Sequence, residues 1–387
     1  MRILYHHRTR ATDAQGVHIT EMINAFRLLG HQVEIASLVA APSKEAAKPS
    51  RTDKPAWQRL LQKLPGAFEF LQLGYNLVGL WIISRQIRRF RPHFIYERYS
   101  LFNFSGVLAS RWFRIPLLLE VNSPLALETR QEGLLTFHRL AEWSERVICN
   151  SSTAVITVTG VLRDILVELG VEADRITVVP NGVSPDRFAP AAADPALRCS
   201  LGLDQRRVIG FVGWFRPWHG LELLIQAFHQ SGLHARDVSL LLVGDGPAMP
   251  ALVETVDRLG LESAVVFTGA IPHRLIPSHV ALFDCAVQPA ANPYCCPMKI
   301  IEYLALAKPV IAPGQANIRE LVEDGVDAIM FESGEAASLA ASLRRLFDSP
   351  DLLQCIQAGA DSAIDRRRYL WSRNAQRSIQ LIFPATP

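Results

Sequence analysis

Cysteine is scarce and unpatterned in this chain. Six occur among 387 residues, none in C-x-x-C spacing and none clustered with histidine. That argues against a zinc site and a disulfide framework and makes a reducing cytosol the expectation. Cys295 and Cys296 are adjacent and read as small fillers rather than a redox pair. Charge of one sign is also lacking. The net charge of +3 is too small to imply nucleic acid as a partner. The opening "MRILYHHRTR" has no apolar stretch of the kind a secretory signal needs, so none is expected. Several chemistries lack their motifs. There is no G-x-S-x-G elbow, no G-x-x-x-x-G-K-[ST] phosphate loop and no complete G-x-G-x-x-G fingerprint. No D-x-D motif falls at a strand end, so no metal is expected.

A membrane-spanning run is missing too. "FLQLGYNLVGLWIIS" is uncharged but covers only residues 70–84, where a spanning helix needs about 20 apolar residues. It runs into "RQIRRFR", with Arg85, Arg88, Arg89 and Arg91. Two readings stay open for residues 70–91. One is a helix packed on its own sheet with a solvated arginine end. The other is peripheral contact with an anionic membrane. The first half of the chain is the more basic: residues 1–185 carry 22 Lys+Arg against 16 Asp+Glu, a balance of +6, and the remainder carry −3.

What the chain has in abundance is short apolar strands alternating with helical patterns. "RILYHH", "QVEIASL", "FIYER", "PLLLEV", "AVITVT" and "ITVVP" read as strands with helices between them. Residues 40–60, rich in Ala, Pro, Lys and Ser, read as a surface excursion. After the Pro- and Ala-rich stretch near 185–205 the pattern restarts with "VIGFVG", "SLLLVG", "AVVFTG", "DCAVQP", "KPVIAP" and "AIMF". The expectation is α/β, with two Rossmann-like doubly wound parallel sheets facing across a cleft. The expected domains are 1–185 and 186–365, with 366–387 a helix returning to the first.

In such sheets ligands gather beyond the C-terminal strand ends. Gly16, Glu120, Asn122, the segment Gly213 to Gly220, and Gly244 and Gly246 all fall there. "NPYCCPMKIIEY" follows "DCAVQP" and puts Lys299 and Glu302 three apart, on one face of a helix start. The loop before them offers backbone N–H groups, an anion site. The alternative is a solvated Lys/Glu pair on a surface helix.

The order of these pieces resembles the GT-B glycosyltransferases of family 4, retaining enzymes that use nucleotide-sugar donors. The resemblance is carried by "ITVVPNGVSPDRF", "FVGWFRPWHGLELLIQAF", "LLLVGDGP", "VVFTGAIPH", "PMKIIEYLALAKPVIAP" and "NIRELVEDGVDAIMF". It implies that Glu302 is the second acid of an E-x7-E element and accepts the ribose hydroxyls of the donor. The first acid would fall at Tyr294, a departure that bears on sugar choice. The N–H groups of residues 295–298, those of Cys295, Cys296 and Met298 among them, would hold the diphosphate, except at Pro297, which has none. A second departure places Trp214 and His219 where the family often has Arg and Lys. Arg216 and Lys299 are then expected to face the leaving phosphate, with His219 adding charge if protonated. Gly16 matches the loop over donor phosphate and acceptor. Glu120 and Asn122 either meet the sugar or acceptor or, for Glu120, serve as a buried structural carboxylate. Trp214 and Trp218 are read as packing.

The implied activity moves a sugar from a UDP- or GDP-sugar to a hydroxyl of a glycan or lipid-linked acceptor. It needs no further cofactor and would serve cell-surface polysaccharide or glycolipid synthesis in the cytoplasm or at the inner face of the membrane. Two rivals are a nucleotide-sugar epimerase and a non-catalytic sugar-nucleotide-binding protein.

Overall fold

The structure is a computed structural model and describes residues 1–9, 14–37 and 66–384. The excursion read at 40–60 lies outside the described residues. The chain divides into two compact units, Met1–Pro180 with Trp371–Pro387, and Asn181–Leu370. The break thus falls after Pro180, ahead of the Pro- and Ala-rich stretch. Helix Trp371–Ile382 packs on helix Ala14–Leu28 of the first unit.

The first unit holds β1 (Arg2–His6), β2 (Gln32–Ala36), β3 (Phe94–Arg98), β4 (Leu117–Val121), β5 (Ala154–Thr157) and β6 (Ile176–Val178). They form one parallel sheet in the order β2-β1-β3-β4-β5-β6. The second unit holds β7 (Arg207–Val212), β8 (Val238–Val243), β9 (Val265–Phe267), β10 (Cys285–Val287), β11 (Val310–Pro313) and β12 (Ala328–Phe331). Their order is β12-β11-β10-β7-β8-β9, again parallel. All twelve apolar runs of the sequence are therefore strands. The central ones are buried along their length, as β4 and β8 are, because helices cover both faces.

The sheet orders fix where a ligand can sit. In the second unit the winding reverses between β7 and β10, which pair directly. Loops leaving the carboxyl ends of these two strands diverge to opposite faces and open a crevice. The loop after β7 is "GWFRPWHG" and the loop after β10 is "PAANPYCCP", so both unusual segments flank one switch point.

Helix Met298–Ala305 follows at once. Its Ile300, Ile301, Tyr303 and Leu304 are buried, while Lys299 and Glu302 stay half-buried on another face. Tyr303 anchors it, since its hydroxyl accepts the Val212 N–H at 2.9 Å at the end of β7. Tyr303→Phe leaves that buried N–H without a partner. A loss of about 1–3 kcal/mol is expected, read as a lower thermal midpoint; an unchanged midpoint means that this bond contributes nothing.

Candidate functional site: the β7–β10 switch point

The loop after β7 is shaped by backbone meeting backbone. Gly213 N–H donates to Val243 O at 2.9 Å, and Phe215 N–H to Asp245 O at 2.7 Å. The "GDGP" turn after β8 thus lies directly on "GWF". A methyl group on Gly244 would come within 2.0 Å of Gly213 O, and one on Gly246 within 2.5 Å of Phe215 N and O. Gly244 also has φ 132°, which side-chain-bearing residues rarely adopt. These two glycines therefore let the two loops of the chain lie backbone against backbone at the site.

Gly213 leaves space for Lys299. A methyl there would meet Lys299 Cε at 2.5 Å and Nζ at 3.1 Å. The ammonium lies 3.3 Å from His219 Nε2 and 5.1 Å from the Phe211 ring centre. A lysine only donates, so Nε2 accepts and the imidazole is neutral. Burial, followed by the charges of Lys299 and Arg216, pushes His219 down to about 3. His219 therefore does not add positive charge here and acts as an acceptor that orients Lys299. Burial also pushes Lys299 down to about 8, against the opposing pull of Cys295 and Glu302. The Arg216 guanidinium stacks over Trp218 at 5.0 Å. Trp214 and Trp218 are 39% and 52% exposed, so packing is not their role; they flank the crevice, and Trp218 holds Arg216.

The loop after β10 is gripped by two asparagines that sequence reasoning passed over. Asn317, fully buried, donates from Nδ2 to Asn292 O at 3.0 Å and Cys295 O at 2.7 Å. Asn181 donates from Nδ2 to Cys296 O at 2.7 Å, and its N–H to Cys296 Sγ at 3.3 Å. Cys295 N–H closes a turn on Asn292 O at 3.2 Å. Three loop carbonyls are thus satisfied from behind, and the helix start at Pro297 has no side-chain cap. Their only sequence signal was position, inside "VVPNGV" and "ANIREL". Tyr294 and Cys296 are 7% and 6% exposed and turn inward. Cys295 and Met298 are half-buried.

In the first unit, Gly16 lies in the first turn of helix Ala14–Leu28 rather than in a loop, and is buried. Glu120 is 3% exposed and spent. Oε1 accepts from Tyr96 at 2.9 Å and His18 Nε2 at 3.2 Å, and Oε2 pairs with Arg98 at 3.5 Å. Arg98 also donates to His18 Nδ1 at 3.3 Å, which fixes that imidazole with its proton on Nε2. Glu120 is therefore a structural carboxylate in this arrangement. Asn122 Nδ2 is buried without a partner. A second buried set went unread. His6 Nδ1 meets Glu97 Oε2 at 2.8 Å, and Asn103 donates to Glu97 Oε1 at 3.1 Å. Burial pushes His7, next along, down to about 4. Position at the end of β1 was the available signal.

Two Rossmann-like sheets with a cationic switch point in the second define the GT-B class of sugar transferases. The comparisons agree. Residues 206–349 match the family described as Glycosyl transferases group 1, and residues 15–187 match Glycosyltransferase Family 4. A 2-deoxystreptamine glucosyltransferase of Streptomyces kanamyceticus is 30% identical over 67% of this chain and 69% of its own. An alpha-D-kanosaminyltransferase of the same organism is 28% identical over 72% and 76%. The crystal structure of Anabaena HepE in complex with UDP superposes with a TM-score of 0.75 at 21% identity, covering 99% of each chain. The chain belongs to the family 4, group 1 glycosyltransferases.

Lys299 generates a pH-dependent prediction. Its folded value of about 8 lies below the ordinary 10.5, so the unfolded state binds more protons between them and stability rises with pH across that window. Lys299→Met should remove this rise. A diphosphate placed beside Lys299 restores its proton. Calorimetry of nucleoside diphosphate binding at pH 8.5, in buffers of different ionisation heat, should show proton uptake that Lys299→Met abolishes. No uptake in the wild-type protein places Lys299 away from the anion.

Proposed function

We propose that this glycosyltransferase is retaining and moves a sugar from a UDP- or GDP-sugar to a hydroxyl of a glycan or lipid-linked acceptor. It would act in the cytoplasm, at the inner face of the membrane, in cell-surface polysaccharide or glycolipid synthesis. The observation that carries the reading is the partly desolvated Lys299 between Gly213 and neutral His219 at the β7–β10 crevice. A cation held short of its hydration is best satisfied by an anion arriving there. Arg216 brings a second charge from the same loop as His219. Glu302, one turn past Lys299, offers a carboxylate to vicinal hydroxyls of the ribose. A uridine donor is supported by the likeness to HepE, whose crystal structures include complexes with UDP and UDP-glucose.

In this reading the bond from the anomeric carbon to the diphosphate oxygen breaks, and its electron pair goes to the leaving phosphate. Lys299 and Arg216 stabilise the charge that grows there, which is commonly the largest catalytic contribution. The acceptor hydroxyl attacks the face that the phosphate leaves, and the phosphate takes its proton. No side-chain base is needed, in keeping with Glu120 being fully engaged. Tyr294 supplies no carboxylate to the sugar, so selection among sugars falls to other contacts.

Two sets of variants test the assignment. Arg216→Ala and Lys299→Ala should each lower kcat about 10²–10³-fold, as for loss of one preorganised electrostatic group, with smaller changes in donor KM. The double variant should lose less than the product, because both act on one charge. A rise in KM alone makes them donor-binding groups only. Glu302→Gln should weaken nucleotide affinity by about 1.5–3 kcal/mol, measured by calorimetry; unchanged affinity in the folded variant removes Glu302 from the site. Incubation with UDP-, GDP- and ADP-sugars, with and without lipid-linked acceptors, distinguishes transfer from epimerisation and from binding alone.

A further inference from the structure

Among the described residues, no helix is long and apolar enough to cross a membrane. Helix Ala67–Phe90 nonetheless shows an uncommon outer face. It buries Glu69, Gly79, Ile83 and Ile87. The opposite stripe follows helical spacing and is apolar for three turns, with Phe70, Leu71, Leu77, Val78 and Trp81 between 43% and 78% exposed. The same stripe then turns cationic at Arg85, Arg88 and Arg89, with no acid on it. A helix that only packed on its sheet would carry polar residues there.

Neighbouring segments extend the face. At the start of the helix, a methyl on Gly66 would touch the rings of both Phe137 and Phe70, so these exposed rings lie side by side. In the middle, Asn76 accepts the Phe104 N–H at 2.6 Å, and Phe104 lies 6.0 Å from the half-exposed Trp143. Helix Ser105–Phe113 runs alongside, from Gly79 against Ser105 to Arg88 over the Phe113 ring at 5.7 Å. It presents Trp112, 74% exposed, next to Arg111. All three described tryptophans of residues 1–180 are thus on the surface, whereas tryptophan is ordinarily well buried.

We infer that this face, centred on Trp81 and Trp112 and bordered by Arg85, Arg88 and Arg89, seats the first unit on an anionic lipid bilayer. Apolar stripe, tryptophans and cationic border each match one layer of such a surface. The aliphatic and phenyl groups enter the acyl boundary, the indoles sit at headgroup depth, and the guanidiniums meet lipid phosphates. The outer stripe of the helix carries cations and no acid, and Glu34 beside it is drawn to Arg89 at 3.8 Å, so the net charge at the border stays positive and complements lipid phosphates. The inference deepens the peripheral location proposed above. It does not depend on sugar transfer, because binding is read without donor or acceptor.

The test is flotation of the full chain with vesicles of phosphatidylcholine containing 30% phosphatidylglycerol, and with phosphatidylcholine alone, at about 50 and 500 mM salt, where screening differs strongly. The expected result is flotation with the anionic vesicles at low salt and at least a tenfold lower partition at high salt. Tryptophan emission should shift to the blue on binding. Trp81→Gln with Trp112→Gln should reduce partition at least tenfold with far-ultraviolet circular dichroism unchanged. Arg85→Gln, Arg88→Gln and Arg89→Gln together should remove the preference for the anionic vesicles. Absence of flotation at low salt overturns the inference. So does full partition in the tryptophan variant. So does self-association without lipid that the tryptophan variant abolishes, which makes a second copy the occupant.

Discussion

A lysine ammonium held against the bare backbone of Gly213 is the constraint around which the second unit is arranged. The ammonium has one neutral imidazole nitrogen at 3.3 Å and an aromatic face at 5.1 Å, less than water would give it. Its depressed proton affinity records that deficit. Keeping a cation there requires everything near it to be fixed. Gly213 must lack a side chain, the "GDGP" turn must lie flat on the loop, and Tyr303 must tie the lysine's helix to β7. Under the proposed function, an anion reaching this lysine would relieve a cost that the fold already carries.

The first unit treats charge in the opposite way. Glu97 is satisfied by His6 and Asn103, and Glu120 by Tyr96, His18 and Arg98, all within one unit. A methyl on Gly106 would fall 1.8 Å from Glu97 Oε2, so even the adjacent helix is shaped to leave that carboxylate in place. Such closed networks tie together the carboxyl ends of the inner strands β1, β3 and β4. Among the buried atoms left without a partner near the strand ends are the neutral His7 Nδ1 and Asn122 Nδ2, beside Nη1 of Arg8.

Aromatic residues are divided by the same logic. Many phenylalanines and tyrosines fill the interiors, with Tyr5 stacked on Tyr96 at 4.9 Å and Phe211 near Phe215 at 6.2 Å, while Phe70 and Phe137 are exposed. The described tryptophans other than Trp371 face outward. Trp218 supports a guanidinium beside the switch point, while Trp81, Trp112 and Trp143 form a broad surface on the first unit.

Much of this was legible in the sequence, because strand and helix periodicity are local. Twelve short apolar runs with helical patterns between them specify two parallel sheets, and glycine- and proline-rich turns mark the strand ends where a site forms. The spacing of Lys299 and Glu302 followed from helix geometry alone. Sequence could not say which strand ends adjoin, since pairing is settled by long-range packing. Only the order β12-β11-β10-β7-β8-β9 brought the loops after β7 and β10 to one crevice. Nor could it give protonation or exposure, which depend on what surrounds a group. His219 became a neutral acceptor because it is buried and because Lys299 and Arg216 converge on it, and Glu120 became structural because three donors meet it. Asn181 and Asn317 are distant in the chain and meet only through the loop they hold. The arginine-flanked apolar run at 70–84 was visible as composition, but which of its residues face outward was decided by what that helix packs against, namely helix Ser105–Phe113 and strands β1 and β2.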